Sequence, residues 1–110
     1  MIQETVRQPA VVLVTGPDRA TLASIGRTLV NEHLIACINL LEGMTSIYRW
    51  RDEIREEAEV LGIIKTTTEH VEELKVRIKE LHPYEVPEIL VLSVVDGLAG
   101  YLDWVHEAVT

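Results

Sequence analysis

Two aliphatic stretches, Ala36 to Leu41 and Val60 to Ile64, are apolar at consecutive positions rather than at alternate ones. Successive strand residues point to opposite faces of a sheet, so an unbroken apolar run wants cover on both. That excludes a sheet with one face left open to water, and the other elements decide what supplies the cover. Ala10 to Thr15 is a short valine-rich run ended by Gly16-Pro17, and reads as a buried strand. Asp18 is a good N-cap, and Leu22, Ile25, Leu29 and Val30 then share one face, which predicts a helix to about His33. Leu34 to Leu41 is the second strand, with a bulge or bend expected at Glu42-Gly43.

Thr45 to Trp50 resumes the strand, Arg51-Asp52-Glu53 is a polar turn, and Ile54 to Thr67 returns. The acidic first half of that return also suits a helix by propensity. A long hairpin is preferred, because Ile47-Tyr48 and Ile63-Ile64 favour strands. Thr67 or Thr68 is placed to cap a second helix with Val71, Leu74, Ile78 and Leu81 inward and Glu69, Glu72 and Glu73 in its first turn; Pro83 stops it. Ile89 to Val95 is a fourth strand and Asp96-Gly97 a turn. Leu98, Tyr101 or Leu102, Val105 and Val109 mark a terminal helix.

The order is βαββαβ plus a helix, the split βαβ pattern of an α+β, ferredoxin-like subunit. It gives one domain over residues 10–110 after a flexible lead-in at 1–9. Two helices cover one sheet face, so the other is expected to pack against copies of the same chain.

The formal charge of −8, with ten scattered basic residues, disfavours nucleic acid and anionic lipid as partners. No apolar run approaches the roughly 18 residues of a membrane span. Cys37, the single cysteine, has no internal disulfide partner, which suits a reducing compartment and makes the cytoplasm the expected location.

His82-Pro83-Tyr84-Glu85-Val86-Pro87-Glu88 is the strongest local signal for a site. Its two prolines stiffen the loop, which presents an imidazole, a phenol and the carboxylates of Glu85 and Glu88. A rigid connector between helix and strand is the other reading. Cys37 is either a small buried hydrophobe or a thiolate that could join His82 on copper or zinc. Lys65 stands in an apolar strand and needs a carboxylate, with Glu85 and Glu88 as candidates, or a route to water. Trp50, between Arg49 and Arg51 at the hairpin tip, reads as a contact residue for a neighbouring subunit or ligand. Trp104 reads as packing, and His33, His70 and His106 as solvated. No nucleophile elbow, phosphate loop or zinc-binding spacing occurs, so no enzymatic activity is expected.

Several segments taken together resemble the CutA-type divalent-cation-tolerance proteins: Ala36-Cys37-Ile38-Asn39, Gly43 to Trp50, Ile64-Lys65-Thr66-Thr67, His82 to Glu88 and Tyr101-Leu102-Asp103-Trp104. The resemblance covers about residues 10 to 108. It implies a ferredoxin-like subunit in a tight homotrimer, similar in architecture to the PII-type signalling proteins, with long hairpins packed on neighbouring subunits. It also implies tolerance of copper and other divalent ions, with no required cofactor, and a metal or small ligand at clefts between subunits. Members credited with a copper site carry a cysteine in the first strand and two histidines before the Pro-Tyr. Here those positions are Val14, Leu81 and His82, so the resemblance does not extend to a strong copper site. The alternatives are a PII-like module sensing a small anion through Lys65 and the Arg49/Arg51 tip, or a structural trimer.

Overall fold

A computed structural model of the chain describes residues 8–110. Its elements are β1 (Pro9–Gly16), α1 (Arg19–Asn31), β2 (Cys37–Trp50), β3 (Glu53–Thr67), α2 (Val71–Leu81), β4 (Ile89–Ser93) and α3 (Ala99–Ala108), with a short 3-10 turn at Thr68–His70. They form an antiparallel sheet, as the sequence pattern predicts, with the strand order β2-β3-β1-β4. The lead-in expected at 1–9 falls outside the described residues except for Gln8 and Pro9. Those two are already in the fold: Thr68 N–H donates to Gln8 O at 2.8 Å, and Pro9 opens β1 opposite Thr67.

Alternation in β1 and β3 sorts the two sheet faces. Val12, Val14, Val60 and Ile64 are buried against Leu22, Ile25 and Leu29 of α1 and Leu74 and Ile78 of α2. Gly62 lies between Val14 and Ile38; a Cβ there would stand 2.9 Å from a methyl of each, so glycine permits the close packing of β1, β2 and β3. The opposite face holds Val11, Leu13, Leu61, Ile63 and Lys65 with Cys37, Asn39, Leu90 and Leu92. Among the described elements α3 approaches it: Val105 and Val109 pack against Ala36, and Tyr101 reaches Cys37.

Local chemistry explains the element ends. Asp18 caps α1 by accepting from Thr21 N–H at 2.7 Å. The helix stops at Asn31 rather than His33, because His33 takes φ +62 and its N–H bonds Val30 O while Leu34 N–H bonds Leu29 O. This is a Schellman closure with a histidine where glycine is usual, locked by the buried Leu29 and Leu34. The threonines at 67 and 68 do not cap α2; a 3-10 turn intervenes, and Thr67 Oγ1 donates to Glu69. β4 ends at Ser93 instead of Val95. Its last partner in β1 is Ala10, and beyond that Pro9 has no N–H to give.

The β2–β3 hairpin runs past the sheet from Met44↔Glu59 to Trp50↔Glu53, an arm of roughly 20 Å. A bulge at Glu42-Gly43 starts it, with Gly43 at φ +82, as the sequence predicts. Arg51 and Asp52 close it with φ +50 and +66, a tight hairpin turn. The arm leaves Ile47 67% and Ile54 72% exposed and stretches the molecule to 56 × 25 × 24 Å. Two side chains depart from expectation: Trp104 is exposed beside Tyr101, and His106 Nδ1 is buried without a partner among the described residues.

The crowding at Gly62 makes Gly62→Ala destabilising, because the stiff Val14 side chain must yield. The expected loss is about 1–3 kcal/mol, read as a lower denaturant midpoint with an unchanged slope.

Candidate functional site

The loop from His82 to Glu88 is fixed by side chains as well as by its prolines. His82 ends α2 with extended backbone (ψ 139), the conformation that a following proline favours. The residue is only 7% exposed. Nε2–H donates to Thr15 O at 2.7 Å, and Nδ1 accepts from Tyr84 N–H at 3.1 Å. This pairing assigns the ring as a neutral imidazole with its proton on Nε2. Both nitrogens are thereby used, one to pin the loop to β1 and one to turn the chain toward Tyr84. The two rings meet with centroids 4.6 Å apart and planes tilted by 55°.

Tyr84 reaches the base of the arm, where its O–H donates to Glu59 at 2.8 Å. Burial, and then the bond to Glu59, push the Tyr84 phenol well above its ordinary range. Partial burial, and then the charge of Glu59, also raise the carboxyl of Glu88. Farther along the arm, Tyr48 O–H bonds Glu57. This end of the molecule is rich in acceptors: Glu57, Glu59 and Asp18 all act on Tyr84. Glu85 contributes only its backbone, whose carbonyl accepts from Lys79 at 3.2 Å; its side chain is exposed.

The other predicted residues lie elsewhere. Lys65 stands opposite Cys37 in the β2–β3 register and opposite Val11 in β1. Thr15, where His82 docks, pairs with Leu61, four strand residues away, roughly 13 Å along the sheet. The structure therefore does not bring Cys37 and His82 together. It also corrects the pairing expected for Lys65: β4 joins β1, not β3, and the ammonium bonds Asn39 Oδ1 instead of Glu85 or Glu88. Trp50 is at the far tip of the arm under the Arg51 guanidinium, 5.6 Å from ring centroid to Cζ. Lys65 and the Arg49/Arg51 tip are thus at opposite ends of β2 and form no joint site within one chain.

Sequence reasoning missed Glu59 as the partner of Tyr84 and Tyr101 as the neighbour of Cys37, whose Sγ lies 3.9 Å from the phenol oxygen. The break in alternation at Glu42-Gly43 was the available signal for Glu59, since it marks where the arm leaves the sheet beside the loop. The raised carboxyl of Glu88 has a sign. Folding favours its protonated form, so its contribution is present at low pH and is lost as pH rises through the folded value. Glu88→Gln is expected to raise the denaturant midpoint at neutral pH, with the gain shrinking as pH falls into the ordinary carboxylate range.

Residues 10–108 match the family model described as CutA1 divalent ion tolerance protein. The chain is 48% identical over 97 residues to a divalent-cation tolerance protein CutA of Thermus thermophilus, covering 88% of this chain and 94% of that one. A Yersinia pestis protein of the same description is 43% identical over 96 residues, covering 87% and 81%. Among solved structures, a divalent cation tolerance protein from Thermus thermophilus superposes with a TM-score of 0.90 at 46% identity, covering 93% of this chain and 99% of that one. CutA1 from Pyrococcus horikoshii superposes at 0.88 with 42% identity, covering 92% and 98%. A CutA described as periplasmic, from Archaeoglobus fulgidus, superposes at 0.90 with 28% identity, covering 93% and 99%. With the fold, the loop and almost the whole length matched, this chain belongs to the CutA1 divalent ion tolerance family.

Proposed function

We propose that the chain works as a homotrimer that meets divalent cations weakly, at clefts between subunits, and binds rather than catalyses. The observation that carries the cation reading is the acceptor-rich end around Tyr84, whose O–H meets Glu59 at 2.8 Å and where burial, and then the charge of Glu59, raise the carboxyl of Glu88. A divalent cation relieves that repulsion. The residues present do not fit a tight copper site within one chain. His82 has both nitrogens bonded, Val14 and Leu81 offer no donor, and Cys37 is on another part of the sheet. Among the described residues no group of three His, Cys, Asp or Glu side chains is disposed to hold a metal ion. The contact is therefore weak, and a neighbouring copy completes it.

The trimer rests on the apolar surface that one copy leaves bare. Leu90 and Leu92 on the second sheet face, and Ile47 and Ile54 on the arm, are exposed, a pattern that marks interaction surfaces. β2 and β4 are free edges at opposite sides of the sheet. Head-to-tail contacts between unlike surfaces close into rings, and a three-membered ring is the smallest such closure. We place the protein in the cytoplasm on the strength of its one unpaired cysteine. One relative is described as periplasmic, so cell fractionation is the decisive measurement there.

Equilibrium dialysis with copper and zinc tests the cation reading. Weak uptake is expected, reduced in the Glu59→Gln/Glu88→Gln double variant and little changed in His82→Ala. Loss in His82→Ala with none in the double variant returns the role to the imidazole and defeats the proposal. Sedimentation velocity at micromolar concentration should give three times the chain mass; a monomer would defeat the trimer.

A further inference from the structure

The arm joins the body at a place built to bend. Its two strands are paired without a break from Met44↔Glu59 to Trp50↔Glu53, and Tyr48 O–H ties them again by bonding Glu57 across the ribbon. The arm is therefore stiffer along its length than at its root. At the root β2 bulges, and Gly43 takes φ +82 there with open space where a Cβ would stand. A bulge with a left-handed glycine bends and twists the ribbon locally. A two-stranded ribbon on such a joint has little of its own to fix its angle.

Two side-chain contacts reach the root from other elements. Arg19 faces Glu42 at 3.8 Å, but both side chains are exposed, so that pair is screened and weak. Tyr84 O–H donates to Glu59 at 2.8 Å, on the first residue pair beyond the bulge. A hydrogen bond to a carboxylate is one of the strong kind, and burial, and then Glu59, keep the phenol in its O–H form. Tyr84 is not free to follow the arm. His82 receives its N–H and meets its ring, and His82 is itself bonded to Thr15 O in β1. A continuous line of contacts thus runs from β1 through the loop to the root of the arm.

We propose that the loop from His82 to Tyr84 is a brace that sets the angle of the arm, and that parting Tyr84 from Glu59 lets the arm swing about Gly43. The stiff ribbon carries the movement to Trp50 at the tip, roughly 20 Å away. A change at the loop is then felt where the arm ends, without contact between the two. Every residue of the line belongs to one chain, and the brace asks for no exposed surface. It does not rest on the cation reading, which needs Glu59 as a ligand rather than as an anchor.

Hydrogen–deuterium exchange on the chain as it assembles in solution tests the brace. Tyr84→Phe keeps the ring and removes the O–H. Amides of residues 45–50 and 53–58 are expected to exchange about tenfold faster or more in this variant, and those of residues 60–67 at the wild-type rate. Glu59→Gln keeps an acceptor for the phenol and should retain much of the protection. In a Trp104→Phe background Trp50 is the one indole left, and its fluorescence anisotropy should fall in Tyr84→Phe. Unchanged exchange in the arm overturns the brace. So does faster exchange in the arm and in residues 60–67 together, which is a general loss of stability. Dissociation of the assembly in Tyr84→Phe by sedimentation also overturns it, because a lost neighbour would then loosen the arm. Should Tyr84→Phe fail to fold, Glu59→Ala removes the same bond from the arm side and is read in the same way.

Discussion

The residues of β3 from Val60 to Thr67 are the constraint on which the rest depends. This segment is flanked by β2 on one side and β1 on the other, and it is aliphatic on both faces. Its even positions need the helices α1 and α2 and receive them; Ile64 and Thr66 are fully buried, and Thr66 Oγ1 donates to Leu34 O at 2.7 Å. Its odd positions receive only the partial cover of α3. The asymmetry carries through the molecule: one face is a finished core, and the other leaves Leu90 and Leu92 exposed. Gly62 shows how closely the finished face is packed, since no room remains for a single methyl.

The loop after α2 changes character once its hydrogen bonds are known. A stiff segment presenting an imidazole suggests a ligand site, yet His82 faces inward and its ring replaces backbone partners for Thr15 and Tyr84. Buried polar groups are expensive to leave unpaired, and a histidine satisfies one donor and one acceptor on different chain segments at once. The consequence is positional. His82 holds Tyr84 where its hydroxyl can meet Glu59, 25 residues away in sequence.

That distance explains what was legible beforehand and what was not. Element order, the bulge at Glu42-Gly43, the long hairpin and the helix cap at Asp18 follow from local pattern, and all are present. The pairing of β4 with β1 is a property of topology, and with it Lys65 meets Asn39 rather than Glu85 or Glu88, its candidate partners. The left-handed His33 was invisible for a different reason. Its conformation is paid for by the burial of Leu29 and Leu34, not by its own propensity. Residues were found where chemistry is encoded in one segment, and missed where two segments had to meet.

The sheet separates two electrostatic environments that the sequence mixes. Glu57, Glu59 and Glu88 gather near the arm, while Lys65, Asn39 and Tyr101 gather where β2 begins. Glu59 and Lys65 are six residues apart along β3, roughly 20 Å and more than twice the Debye length at physiological salt, so neither group neutralises the other. The arm carries Glu57 and Glu59 away from the sheet, whereas Lys65 stays on the second sheet face, which α3 covers only in part. The assembly proposed above covers that face and engages the arm as well, so it alters both environments together.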